Sequence, residues 1–240
     1  RDRIAIANFT EIAEGRGTSN GGVYLDISHK SKEFIVDKIP TIYKQFLNEQ
    51  MLDISKEPME VAPTAHYSMG GIVITPHEHS TTIKGLYAAG EVTGGLHGAN
   101  RLGGNSLAEI LISGKRAGIA SSNYSKKLSK KIRSDFIIEK AHENINSLIR
   151  KGTEKSKPLQ NHLSNIMWEC CGVVKDRELL QSGLKRVQEI KNIIKEIGIQ
   201  INHQDCEDLI LLFDLKSSVI SAQATLLSSL YREESRGAHQ

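Results

Sequence analysis

Residues 85–107, GLYAAGEVTGGLHGANRLGGNSL, constrain this chain more than any other stretch. Seven glycines, one carboxylate, one histidine, one arginine and two asparagines fall within it. Leu86, Tyr87, Ala88 and Ala89 read as a short buried strand. Gly90 lets the backbone turn with no Cβ in the way. Glu91 then stands at the strand's carboxyl end, where open α/β sheets bind ligands. A glycine-rich loop runs on to Arg101. Asn105 and Ser106 are the expected cap of a helix that continues through Ala117. Backbone amides at such a helix start attract a negative or polarisable group. A glycine loop alone is a weak signal. Glu91, His97 and Arg101 spaced inside it make this one specific.

The flanking sequence supplies a framework. Ile4, Ile6, Ala7, Phe9, Ile12 and Ala13 fit an amphipathic helix that Gly15-Arg16-Gly17 ends. Val23–Ile27 alternates like a strand. Residues 31–49 predict one or two helices with a break at Pro40. Met59–Ala62 reads as extended. Pro63 leads into a loop holding His66, and Met69-Gly70-Gly71 leads into a strand over Ile72-Val73-Ile74. Residues 76–82 read as a polar hairpin in which His77 and His79 are solvated. From about 124 onward glycines become scarce and lysines frequent. Helices are expected over 124–150, 158–170, 176–197 and 205–233. The last carries an apolar stripe that includes Leu209, Leu212, Leu215, Val219 and Leu226 and suits a bundle. Trp168, Met167 and the Cys170-Cys171 pair fall on a helix and read as core.

Composition narrows the class. The chain has 240 residues, enough for one or two domains with real cores. Hydrophobic residues make up 39% and charged residues 25%, the balance of a soluble globular protein. A net charge of +3 is too small to imply nucleic acid, and the Lys126–Arg133 run reads as a solvated face. No uninterrupted apolar run reaches the ~18–20 residues of a membrane span. Three cysteines with no CxxC spacing exclude a disulfide framework and a cysteine metal site, and they read as reduced thiols in a cytoplasmic protein. His77 and His79 lack the further ligands a metal would need.

The segment 85–107 resembles the flavin-proximal segment of succinate dehydrogenase and fumarate reductase flavoprotein subunits and of their relative L-aspartate oxidase. RDRIAIANFTEIAEGRG at the start, PTAHYSMGGI at 63–72 and ESRGAH at 234–239 resemble the same superfamily, so the likeness runs along almost the whole chain. It implies an α/β fold: the C-terminal part of an FAD-binding Rossmann-like domain with a capping-domain tail, then an all-helical C-terminal domain. The boundaries expected are 1–57 for the capping tail, 58–123 for the second segment of the FAD-binding domain and 124–240 for the helical domain. Flavoproteins of this superfamily open with a GxGxxG turn that holds the dinucleotide pyrophosphate. That fingerprint does not occur here, so the chain reads as a C-terminal portion of a longer flavoprotein.

The resemblance also implies a chemistry. Reducing a C=C bond conjugated to carboxylates needs a hydride donor, a proton donor and cations that hold the carboxylates. The implied cofactor is FAD, and the implied reaction interconverts succinate and fumarate. Arg101 matches the arginine that grips the dicarboxylate, and His66 matches the substrate-binding histidine. Arg1, in an Arg-Asp pair, matches the arginine that relays the proton. Gly90 and Glu91 match the turn and the carboxylate at a flavin ribityl or ribose hydroxyl. Asn105, Ser106 and Leu107 match the helix start whose amides meet the isoalloxazine carbonyl edge. His97 is assigned a bracing role, and Arg236 and His239 a contact near the flavin domain.

The run NRLGGNSL favours the succinate and fumarate group over aspartate oxidases, which more often carry NRLASNSL. The loop between Glu91 and Arg101 is one residue shorter than in many respiratory succinate dehydrogenases, as in archaeal and bacterial fumarate reductase-like proteins. L-aspartate oxidase is the alternative reading. A non-catalytic module that docks an iron–sulfur subunit is the alternative of another class. The implied partners are a dicarboxylate substrate and an iron–sulfur subunit, with any membrane reached only through partner subunits. The implied location is cytoplasmic, at most peripheral on the inner face of the cell membrane.

Overall fold

The apolar spacing at the start of the chain becomes α1, Asp2–Ala13, which Gly15 closes in a left-handed conformation (φ 77°). The computed structural model describes residues 2–129, 134–199 and 207–240. It divides into two compact units, Arg1–His66 and Tyr67–Gln240. Arg1, Cys206 and part of the Lys126–Arg133 run lie outside the described residues.

The first unit builds on one short antiparallel pair. β1 (Val23–Leu25) pairs with β2 (Met59–Val61), with Tyr24 opposite Glu60. α2 (Lys32–Lys38) starts at Ser31, whose hydroxyl accepts from the Phe34 amide. It stops where Pro40 opens α3 (Pro40–Glu49), as a proline in the first turn allows. Ile35, Tyr43, Ile54 and Met59 form the unit's core. Asp53 closes the corner by accepting from the Ser55 hydroxyl at 2.6 Å and from Lys32 at 3.4 Å.

In the second unit, α4 runs from Asn105 to Lys126 and α5 from Asp135 to Leu148. α6 (Ser156–Cys171), α7 (Arg177–Ile193) and α8 (Glu207–Tyr231) pack into a bundle. Its core includes Leu163, Ile166, Val187, Leu212, Leu215 and Leu226. Asp176 caps α7, its carboxylate accepting from the Glu178 and Leu179 amides. α8 is long and apolar enough by composition to cross a membrane. Asp214 and Lys216 interrupt its apolar run, and its buried stripe Leu212, Leu215, Val219, Ala222 and Leu226 fills the bundle. Cys170 is core as expected, whereas Trp168 is 39% exposed.

At Ile72–Ile74 and Leu86–Ala89, where strands were expected, the described residues show single bridges. Ile72 pairs with Thr93, and Ser80 pairs with Tyr87. The only sheet among the described residues is β1–β2. The hairpin is also less solvated than its polarity suggests. His77 is exposed, but His79 adopts φ 57° and is buried, lining one cavity with Glu109 and Ser113 of α4.

Candidate functional site

Three backbone segments of the second unit converge at the glycine loop. The Ile72 amide donates to the Val92 carbonyl at 2.8 Å, and the Gly94 amide donates to the Ile72 carbonyl at 3.1 Å. This crossing is close because Gly71 has no side chain: a Cβ there would overlap the Val92 carbonyl, and φ is +138°. The Ser68 amide donates to a Glu91 carboxylate oxygen at 2.8 Å, tying the segment after His66 to the turn after Gly90. Gly90 itself is buried at φ 85°.

Arg101 is the centre of the cluster. Its guanidinium lies over the Tyr67 ring, 4.6 Å from the centroid, and Nη1 donates to its neighbour's carbonyl, Leu102 O, at 3.2 Å. His97 meets the same ring edge-on, with centroids 5.2 Å apart. Tyr67 therefore contacts both a cation and an imidazole. Burial raises its hydroxyl above the ordinary phenol range, Glu109 and Glu91 push the same way, and Arg101 opposes them. Among the described residues, Arg101 Nε and His97 Nε2 are buried with no hydrogen-bond partner. A buried polar nitrogen without a partner is costly, and a ligand atom would satisfy it.

The helix start differs from expectation in one respect. The cap of α4 is Gly104, at φ 84°, and Asn105 is the first helical residue. A glycine offers no side-chain cap, so the amides of the first turn, including those of Ser106 and Leu107, keep their capacity to donate. Asn105 and Leu107 are exposed there. His66 lies in an irregular, exposed segment at the end of the first unit.

A strap from the far end of the chain reaches this loop. The Ala238 amide donates to the Ala99 carbonyl at 3.0 Å. Gly237, at φ +63°, sits where a Cβ would overlap that same carbonyl. The strap closes on itself through Arg236 N to His239 O at 2.8 Å. His239 Nε2 lies 3.0 Å from the Arg232 carbonyl. Burial, then the nearby Lys175 charge, lowers the His239 pKa. Tyr67, Ala99 and Lys175 are the parts of this arrangement that the sequence did not single out. An aromatic beside a histidine is the only signal Tyr67 offers, and Ala99 and Lys175 offer none.

Comparisons with known proteins point to a family. The FAD binding domain family matches residues 1–107, and the family described as fumarate reductase flavoprotein C-term matches residues 160–240. A fumarate reductase (CoM/CoB) subunit from Methanothermobacter marburgensis is 41% identical over all of this chain and 43% of its own length. L-aspartate oxidase of Acinetobacter baylyi is 36% identical over 90% of this chain and 38% of its length. Mycobacterium smegmatis Sdh1 superposes with a TM-score of 0.91 at 34% identity, over 100% of this chain and 40% of that one. The chain thus spans about two fifths of the length of the relatives it matches. The residues present suit FAD. The start of α4 has no side-chain cap, so its first-turn amides can donate to an anionic or polarisable group such as the flavin.

Proposed function

The chain belongs to the superfamily of succinate dehydrogenase and fumarate reductase flavoprotein subunits, and on that premise we propose that it carries the dicarboxylate-binding part of a succinate–fumarate oxidoreductase. The cofactor of the family is FAD. The domain reading that goes with this assigns 1–57 to a capping tail, 58–123 to the second segment of the FAD-binding domain and 124–240 to the helical domain.

The single observation that carries the proposal is Arg101. A guanidinium stacked on Tyr67 with its Nε buried and unpartnered is oriented and still has donors to give. Its planar fork matches a carboxylate with two parallel hydrogen bonds. His66 would hold the second carboxylate. FAD, when bound, supplies or accepts the hydride. The amides of Ser106 and Leu107 would stabilise negative charge at the helix start, and Glu91 would accept from a hydroxyl of the cofactor while its other partner, Ser68, fixes its position. Arg1 would move the proton between substrate and solvent. An arginine has a free pKa above ~12, so it serves only with carboxylates that relay its proton.

The test is Arg101→Ala and Arg101→Lys in the complete flavoprotein. Alanine should lower fumarate turnover by orders of magnitude, and lysine should also fail because an ammonium cannot reproduce the fork. Near-normal kinetics in either variant rules the assignment out. Arg1→Gln should abolish turnover while dicarboxylate affinity and flavin content stay nearly intact, since a transition-state role lowers the chemical rate.

A second reading is L-aspartate oxidase, favoured by the 36% identity to that enzyme. Turnover of L-aspartate by the complete protein, with none of succinate, selects it. If the 240-residue chain acts only in docking an iron–sulfur subunit, purified chain should hold no flavin absorbance yet still bind that subunit.

A further inference from the structure

Lys175 occupies an unusual position for an ammonium group. It sits between α6 and α7, half-buried, and among the described residues it forms no ion pair. Its partners are main-chain carbonyls. Nζ donates to Gly172 O at 2.9 Å and to Ala238 O at 3.3 Å, and the Lys175 amide donates to Gln240 O at 2.8 Å. Lys175 therefore grips the strap 236–240 at two points. Burial lowers its pKa, the cost of placing it there.

The other side of the strap presses on the glycine loop. Ala238 is gripped through its carbonyl by Lys175 and reaches Ala99 through its amide. One short segment thus joins the helical bundle to the turn that precedes Arg101. Gly237 permits the approach, since any Cβ would push the strap away from Ala99. The Gln240 side chain donates to Gly237 O at 2.8 Å, which keeps the strap from opening.

We propose that Lys175 is a positioning residue for Arg101, acting through the strap Arg236–Gln240 and the Ala99 carbonyl. The proposal rests on the reading of Arg101 as the carboxylate-binding arginine. Lys175 touches neither substrate nor cofactor. It fixes the loop geometry, and a misplaced binding arginine weakens the grip on substrate.

The experiment uses the complete flavoprotein with Lys175→Met, Lys175→Arg and Gly237→Ala. Two quantities are read: hydrogen exchange at the amides of residues 97–102, and kcat and KM for fumarate. Lys175→Met should speed exchange at 97–102 and raise KM about tenfold with a smaller change in kcat. Lys175→Arg keeps several donors and should restore both. Gly237→Ala leaves Lys175 untouched and should give the same exchange signature by lifting the strap. If Lys175→Met fails to fold, Gly237→Ala decides. Unchanged exchange at 97–102, or exchange altered only at 170–178 and 236–240, overturns the proposal. A wild-type protein that turns over no fumarate defeats the functional reading alone, because the exchange signature still tests the mechanical link.

Discussion

The Arg101 guanidinium and the Tyr67 ring are stacked 4.6 Å apart, so the orientation of Arg101 depends on an aromatic side chain from another segment. Such a contact contributes about 0.5–2 kcal/mol, more as it is desolvated. Tyr67→Leu in the complete flavoprotein should weaken dicarboxylate binding by about three- to tenfold. Tyr67→Phe keeps the ring and should bind nearly as the parent does. Titration calorimetry with fumarate separates the two. Equal losses in both variants would assign the effect to the hydroxyl.

Gly71 predicts a stability effect at the site itself. Alanine there would overlap the Val92 carbonyl and hold a left-handed φ. The expected cost is about 2 kcal/mol or more. Thermal unfolding should shift down by about 5 °C, and the Ile72 amide should lose exchange protection. An unshifted midpoint would mean that the Ile72–Thr93 crossing is not held as tightly as described.

Asp53 sets the acid limit of the first unit. The Ser55 hydroxyl hydrogen bond is the largest cause of its carboxyl pKa falling from 3.8 to about 2. A depressed carboxyl stabilises the fold above the unfolded pKa and loses that contribution as pH falls through the folded one. Asp53→Asn should therefore flatten the stability curve of residues 1–66 between about pH 4 and about pH 2. Hydrogen exchange at the Ser55 amide across that window checks it.

His239 should act in the opposite range. Burial and the Lys175 charge, with a smaller push from Arg232, favour its neutral form, against the Arg232 carbonyl and Glu234. Its contribution to strap stability is full above the ordinary 6.5 and falls as the solution is acidified below it. The protection of the Ala238 amide, taken relative to its intrinsic exchange rate at each pH, should fall as the solution is acidified through the histidine range. In His239→Gln that loss of protection should vanish.

Much of this was readable from local rules. Pro40, Gly15 and Ser31 mark helix ends because their backbone or capping chemistry is short-range. The bundle followed from the apolar stripe of α8. The strands expected at Ile72 and Tyr87 shrank to single bridges, since a strand needs a ladder and each has one partner pair. Asn105 lost the cap to Gly104, whose left-handed backbone the composition alone does not reveal. His79 looked solvated because its neighbours are polar, yet the turn carries it under α4. Arg101 stood out through its motif alone. Its support by Tyr67, and the strap behind Ala99, depend on contacts between distant segments, which no local pattern encodes.

The hydrogen bond from Ala238 to Ala99 also closes a long loop, which bears on the order of folding. The bundle of α6, α7 and α8 closes short connections, so its contacts carry little loop entropy and form early. The strap joins Ala238 to Ala99 and closes a loop that takes in most of the second unit. Such a contact is made late. On that argument the glycine loop should take its final shape after the bundle has formed and offered Lys175 to the strap. The geometry around Arg101 would then report on the completeness of the helical unit, and a chain that stalls before the strap docks should have near-native helix content with an unformed glycine loop.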